Sequence, residues 1–252
     1  ALLEKFALVG AAQAHAGYVH LYVLKEMAAR SVEFKRPLPA VMGYVEVAGV
    51  SLCVTSVHLT YSADAPGRRR EQLAHVLAAV PRACKAVVVL GDFNVYHGED
   101  EMLFSGSPGL SDASYNGDSW NPRVNKFCEA QVGQQLRGQQ FDRLVFSGAV
   151  AAYSCLVGQA RVFKDGCEFF LSDHFPLLSF VDVHASHSEP AAKVLARCRR
   201  LALGRLRDIY SLQEAKNAQD RERVGREEAA LRSVQAADRD REKILKEMRR
   251  KA

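Results

Sequence analysis

The segment from Val87 to Asn94, Val-Val-Val-Leu-Gly-Asp-Phe-Asn, constrains the fold of this chain more than any other. Four consecutive β-branched or aliphatic residues are typical of a strand buried on both faces, and the glycine that follows permits a sharp turn. Alternate residues of a strand point to the same side, so Asp92 and Asn94 can face one small volume. A carboxylate there can accept a proton from water or help to hold a metal, and an amide can donate to a phosphoryl oxygen. The same residue types also occur in loops where they bond only nearby backbone, and both interpretations stay open at this point.

Length and composition indicate one globular domain of up to about 200 residues with an appendage. Apolar residues make up 48% of the 252, yet no run approaches the ~20 residues needed to cross a bilayer, and the first residues do not resemble a signal peptide.

The six cysteines occur singly, without the C-x-x-C spacing of zinc or redox sites. Cys53 and Cys84 lie in apolar patterns, and we expect buried free thiols there. This favours an intracellular, reducing compartment, with nucleus, cytoplasm and mitochondrion not distinguished.

Positive charge is concentrated in the C-terminal part. Residues 186–252 contain 18 Lys or Arg and 11 Asp or Glu, a net charge of +7, which leaves a net charge of −2 for residues 1–185. The C-terminal part is rich in Ala, Arg, Glu, Lys and Leu, which predicts helix. We therefore expect a globular domain over 1–185 and a basic helical extension over 186–252, which binds a protein or RNA partner or is only solvated. Its candidate docking residues are Leu195, Leu203, Leu206 and Tyr210, with a second apolar seam at Leu231, Val234, Leu245 and Met248.

Alternating patterns predict strands before the central segment. Gly17–Lys25 predicts a strand with Ser31–Phe34 as its candidate partner, whereas the Ala-rich first fifteen residues carry no clear pattern. Gly43–Thr60 predicts a hairpin that turns at Ala48-Gly49. Apolar residues spaced by three and four predict a helix over Arg68–Val80, whose opening three arginines suit a phosphate-facing cluster or, more often, a solvated first turn. Strand, helix and strand in succession indicate a layered α/β fold.

Separated polar motifs follow the predicted strands. Besides Asp92 with Asn94, they are His58 at a strand end, Asp142 within Phe-Asp-Arg, and Asp173-His174. Each has a structural interpretation, since a lone histidine often only supports the fold and an Asp-Arg neighbour pair can be a weak surface ion pair. The stretch 97–140 is rich in Gly, Ser, Asn, Gln and Asp, which is typical of a functional rim.

Taken in order, four motifs resemble those of the endonuclease/exonuclease/phosphatase superfamily, the deoxyribonuclease I-like fold. They are Ser-Val-His-Leu (56–59), Gly-Asp-Phe-Asn (91–94), Phe-Asp-Arg-Leu-Val-Phe (141–146) and Ser-Asp-His-Phe-Pro (172–176). The resemblance covers about residues 17–184. It implies an α/β fold, a two-layer β-sandwich flanked by helices. It also implies an enzyme that cleaves phosphodiesters or phosphomonoesters with Mg2+, or with Mn2+ in its place.

The resemblance implies a role for each motif. His174 would contact the phosphate and be oriented by Asp142, while Asp173 would face the metal. Asp92 would orient or deprotonate the attacking water. The residues that would bind phosphoryl oxygens are Asn94 and His58.

The segment Ser-Trp-Asn-Pro-Arg-Val-Asn (119–125) resembles, together with Phe-Asp-Arg, the corresponding segments of 5′ tyrosyl-DNA phosphodiesterases. That analogy implies substrate binding by Trp120 and Asn125, because a flat ring beside a channel can stack a base. A tryptophan that anchors its loop to the core is equally compatible. Neutral sphingomyelinases share a similar tryptophan motif.

The chain departs from the superfamily pattern at its start. Members begin with a strand that carries an Asn and a second strand that ends in Gln-Glu, whose Glu is a principal Mg2+ ligand. Neither motif precedes Gly17, and Gln13 carries no charge to hold the metal. We therefore expect a domain that lacks its first strands, because the chain is a fragment or because the domain is degenerate.

Three functions remain open at this stage. The leading hypothesis is a Mg2+-dependent phosphodiester hydrolase acting on nucleic-acid ends. The alternative is a catalytically degenerate member that serves as a structural subunit of a larger assembly through its basic helical extension. A sphingomyelinase or inositol-phosphatase activity is the third.

Overall fold

The structure is a computed structural model that describes residues 2–14, 17–105, 107, 109–113, 115, 117–125, 138–148, 150–170, 172–183 and 191–251. The strands are β1 (Phe6–Ala14), β2 (Gly17–Leu24), β3 (Arg30–Val32), β4 (Ala40–Val47), β5 (Val50–His58), β6 (Ala86–Asp92), β7 (Ser111–Asp112), β8 (Asp142–Gly148), β9 (Val150–Leu156), β10 (Val162–Lys164), β11 (Cys167–Phe169) and β12 (Leu177–Val183). The helices are α1 (Leu2–Lys5), α2 (Pro66–Ala78), α3 (Asp100–Ser105) and α4 (Ala191–Lys251), with one 3-10 turn at Lys25–Met27.

Six strands form a mixed sheet in the order β3-β4-β5-β6-β8-β7. The predicted hairpin is β4–β5, and its turn residues Ala48 and Gly49 have φ angles of 48° and 77°, as a tight two-residue hairpin turn requires. The predicted buried strand is β6, which runs parallel to β5 and antiparallel to β8. The ends of β5 and β6 and the start of β8 therefore meet at one edge of the sheet.

Both faces of this sheet are covered. Helices α2 and α3 pack on one face through Leu73, Val76 and Leu103. The other face carries two further antiparallel pairs, β1–β2 and β9–β12, as a second β layer. The arrangement is the two-layer β-sandwich flanked by helices that the resemblance implies.

The pairing of the first strands differs from the prediction. Strand β2 pairs with β1, and β3 pairs with β4, so the predicted pairing of Gly17–Lys25 with Ser31–Phe34 is wrong. The residues without a clear pattern form β1, whose alanines have a low β-propensity. This strand is held by its partner and by the sheet beneath, where Val19 and Leu21 pack against Val41.

Cys53 and Cys84 form a disulfide, so the expectation of free thiols is wrong at this pair. Cys53 lies in β5, and Cys84 lies just before β6. The parallel pairing of these strands brings the two Cα atoms to 6.1 Å, which is within disulfide range. Among the described residues, the free cysteines are Cys155 and Cys198, which are buried, and Cys167, which is exposed.

Helix α4 is continuous over 61 residues rather than two helices with separate seams. In its first turns the buried row is Val194, Cys198 and Ala202, which follow the i, i+4, i+8 spacing of one helix face. The predicted docking residue Leu195 is 45% exposed, because the docked face begins one residue earlier. Leu231 of the predicted second seam is 58% exposed.

The chain divides into two compact units, Ala1–Gln159 with Ser172–Leu206, and Ala160–Leu171 with Arg207–Ala252. In the second unit the β10–β11 hairpin packs along α4. Asn217 accepts a hydrogen bond from the Phe163 amide, and the Arg221 guanidinium lies 5.2 Å from the centre of the Phe163 ring. No helix within the described ranges is long and apolar enough to cross a membrane.

Candidate active site

One row across the six-stranded sheet carries three of the predicted site residues. The parallel pairing of β5 with β6 places His58 opposite Asp92, and the antiparallel pairing of β6 with β8 places Asp92 opposite Asp142. The three side chains are thus set by strand register at the edge where these strands meet. His58 Nε2 lies 3.5 Å from Asp92 Oδ2.

His174 joins this row through Asp142. Its Nδ1 lies 2.7 Å from Asp142 Oδ2. Burial is the largest single influence on the pKa of His174 and lowers it. The hydrogen bond and charge of Asp142, together with the charges of Asp92 and Asp173, outweigh burial and raise the pKa of His174 to about 9. At neutral pH the ring is therefore an imidazolium that donates Nδ1–H to Asp142.

The surroundings of Asp92 shift the pKa of its carboxyl group upward. Burial raises its pKa, and the neighbouring charge of Asp142 raises it further. The charges of His174 and His58 act in the opposite direction without reversing the shift. The Asn94 backbone N–H, which donates to Asp92 Oδ1 at 2.8 Å, also favours the ionised form. Asp92 is consequently a stronger base than an ordinary aspartate.

Gly91 and Asn94 explain the Gly-Asp-x-Asn spacing. Gly91 has a φ of 129°, and a Cβ at this position would lie 2.1 Å from the Val57 carbonyl oxygen, so only glycine fits. Asn94 has a left-handed φ of 49° and is 2% exposed. Its Nδ2 donates to the Leu59 carbonyl at 3.0 Å, which ties the loop after β6 to the loop after β5.

Two residues outside the predicted set hold the Asp142 backbone. The fully buried Ser119 accepts a hydrogen bond from the Asp142 amide at 2.9 Å. The Tyr115 hydroxyl donates to the Asp142 carbonyl at 2.6 Å. Both come from the rim stretch, more than twenty positions away in sequence, and no local pattern identifies them.

Arg69 is neither a phosphate-facing residue nor part of a solvated turn. Its side chain is fully buried, and its NH2 group binds both carboxylate oxygens of Glu99 at 2.6 and 2.7 Å. It also donates to the Thr60 carbonyl at 3.0 Å, while Gln72 accepts from the Thr60 amide at 2.9 Å. Helix α2 thus fixes the loop that follows His58. Arg69 precedes Leu73 by four residues and so lies on the apolar face of the helix, which is the sequence signal that marks it.

The two predicted substrate-binding residues are buried. The Trp120 ring is 8% exposed and packs on Phe141 with 5.7 Å between ring centres. Asn125 is fully buried, and its Nδ2 donates to the Ser172 carbonyl at 2.7 Å. Both side chains therefore support the rim, and Asn125 positions the segment that carries His174. Substrate binding by either residue stays a prediction.

The model of the Endonuclease/Exonuclease/phosphatase family matches residues 1–174, which is more than half of the chain. The chain belongs to this family. A search of curated protein sequences finds no match.

Solved structures show the same fold. D. rerio TDP2 complexed with a single-strand DNA product has a TM-score of 0.57 at 16% identity, covering 72% of this chain and 78% of that chain. Truncated Caenorhabditis elegans TDP2 has a TM-score of 0.52 at 18% identity, covering 73% and 77%. A Staphylococcus aureus β-toxin mutant with bound magnesium ions has a TM-score of 0.50 at 16% identity, covering 65% and 67%. At these identities the likeness concerns the fold alone.

Members of the Endonuclease/Exonuclease/phosphatase family commonly use divalent metals. Among the described residues, no group of three or more His, Cys, Asp or Glu side chains is arranged to hold a metal. The Asp92 oxygens face the Asn94 amide and His58, and Asp142 binds His174. These residues do not by themselves form a Mg2+ site, and Asp173 stays a predicted ligand.

Proposed function

We propose that this chain hydrolyses phosphodiester bonds at the ends of nucleic acids. The observation that carries the proposal is the row His58–Asp92–Asp142, closed by His174, in which a protonated imidazole and a basic carboxylate share one edge of the sheet. Activation of water by a base and stabilisation of negative charge around phosphorus both accelerate phosphate ester hydrolysis. A nucleic-acid substrate is favoured by the fold shared with a TDP2 that was solved with a single-strand DNA product.

His174 acts on the phosphate. Because Nδ1 is bound to Asp142, Nε2–H is the donor that can reach a phosphoryl oxygen. The imidazolium charge stabilises the negative charge that builds up around phosphorus in the transition state. Asp142 keeps the ring protonated and oriented.

Asp92 acts on the water. Its raised pKa makes its carboxylate a better proton acceptor. His58, whose Nε2 lies 3.5 Å from Asp92, is the second residue that we assign to binding the phosphoryl group. Asn94 ties the loop after β6 to the loop after β5, so the distance between Asp92 and His58 is fixed before substrate binds. The described residues do not form a Mg2+ site, so these roles belong to the side chains themselves.

Turnover of a thymidine 5′-phosphodiester with a chromogenic leaving group tests the proposal. Asp92→Asn and His174→Gln should each lower kcat/KM by about 100-fold or more, since each removes a proton-transfer or charge-stabilising group. Asp182→Asn, a carboxylate paired with Arg197 in the same unit, is the matched control and should retain activity. Reactions with Mg2+, with Mn2+ and with a chelator measure the metal requirement.

Two results would overturn the proposal. Full activity in both Asp92→Asn and His174→Gln would show that neither residue has the role assigned to it. Inactivity of the unaltered chain with either metal would instead favour the structural-subunit alternative. Sphingomyelin and inositol phosphates tested in parallel would identify the third alternative if only they are hydrolysed.

A further inference from the structure

The first turns of α4 carry an unusual distribution of charge. Between Ala191 and Leu206 the helix contains five Lys or Arg and no Asp or Glu. One of them, Arg197, is bound to Asp182 at 2.8 Å. The others are exposed to solvent: Lys193, Arg199, Arg200 and Arg205.

Two of these cations, Lys193 and Arg200, lie away from the docked side of the helix. The docked row is Val194, Cys198 and Ala202, and Cys198 reaches the Ala151 carbonyl of β9. At about 100° per residue, Lys193 and Arg200 lie nearly one above the other, on the side opposite this row. Their rise along the helix is about 10 Å. They therefore form one outward-facing row.

The second unit shows that the cations of α4 are not all arranged in this way. There Arg226 lies 3.8 Å from Glu222 and Arg232 lies 3.1 Å from Glu228, each at i, i+4 spacing. Within the described part of the chain, no ion pair involves Lys193, Arg199 or Arg200.

Lys193 lies in the first turn of α4, where a cation opposes the helix macrodipole. Arg197 is four residues from Lys193 and three from Arg200, but its bond to Asp182 offsets the repulsion between these like charges. A bound anion would relieve the unfavourable interaction that remains at Lys193.

We propose that the outward row of α4 at Lys193 and Arg200, flanked by Arg199, binds the phosphate backbone of single-stranded nucleic acid. The exposed leucines of this segment, Leu195 and Leu201, lie 80° or more around the helix from Lys193 and Arg200, at about 100° per residue. The row itself therefore presents charge without a large apolar side chain. A membrane-binding helix would insert apolar side chains from such a face. Phosphates of a nucleic acid need only the charges.

Fluorescence anisotropy with a labelled oligo-dT in chelator tests this proposal independently of hydrolysis. The variant K193Q/R200Q should bind about tenfold more weakly, and the slope of log K against log salt should fall by about 1.4 for two lost phosphate contacts. The control R226Q/R232Q removes the same charge from the internally paired part of α4 and should bind like the unaltered chain. Circular dichroism confirms that both variants keep their helix.

Three binding results would overturn the proposal. An equal loss in both variants would show that only net charge matters, and no loss in either would show that this row does not bind nucleic acid. Both would overturn the proposal. So would a loss of binding to phosphatidylserine vesicles in K193Q/R200Q with oligo-dT binding unchanged, which would identify a membrane surface instead.

Discussion

Replacing Asp142 with Asn should abolish the unusual protonation of His174. In the unaltered chain the pKa of His174 is raised from 6.5 to about 9, and the hydrogen bond and charge of Asp142 are the largest causes that raise it. The amide of Asn cannot supply that charge. The burial that lowers the pKa remains, and so do the raising charges of Asp92 and Asp173. The pKa of His174 should therefore fall by about 2 units, toward its ordinary value of 6.5.

The same change should alter stability in a pH-dependent way. A pKa raised in the folded state stabilises the fold fully below the unfolded value of 6.5, and the contribution is lost as the pH rises through about 9. At about 1.36 kcal/mol per unit, the shift corresponds to about 3 kcal/mol. Asp142→Asn should thus lower the free energy of unfolding by about 2–3 kcal/mol at pH 6, and by less at pH 10.

Long-range 1H–15N NMR spectra of the histidine rings, recorded against pH, measure the pKa directly. The His174 resonance is assigned by its absence in His174→Gln. Asp182→Asn removes another paired carboxylate and should leave the pKa of His174 unchanged. A His174 ring that still titrates above pH 8 in Asp142→Asn would refute the reasoning.

Other contacts give further predictions. Arg69→Met leaves the Glu99 carboxylate without its buried partner, so the free energy of unfolding in urea should fall by about 3–5 kcal/mol. An added Glu99→Leu should recover a large part, and a double variant no more stable than the single one would contradict this account. Gly91→Ala places a Cβ 2.1 Å from a backbone oxygen and should destabilise by about 2–4 kcal/mol in the same assay. Gly204→Ala, which meets open space within a helix, is the control, and an equal loss there would show that the close contact is not the cause.

The central sheet could be predicted because its signals are local. The run of Val87–Leu90 with Gly91 identifies β6, and the Ala48-Gly49 turn identifies the β4–β5 hairpin. Strand register then brings the polar strand ends together. The meeting of Asp142 with His174 was implied by a resemblance, and geometry alone would not have identified it from sequence.

The remaining contacts depend on partners that are distant in sequence. Arg69 lies in a charge run that resembles a solvated turn, and only the folded chain places it against Glu99, thirty residues away. Cys53 and Cys84 are likewise joined by the parallel pairing of β5 and β6. The alanines of β1 give no strand pattern, because the surrounding structure decides their conformation.

The pH dependence of kcat/KM for the thymidine phosphodiester tests the central claim most directly, since it reports the pKa values of the free enzyme. The account predicts a bell whose acid limb reflects ionisation of Asp92, at a pKa above the ordinary value of 3.8, and whose alkaline limb lies near pH 9, where His174 loses its proton. In Asp142→Asn the alkaline limb should move by about two units toward acid. An alkaline limb that is absent or unmoved would contradict the claim that the Asp142–His174 pair performs the chemistry.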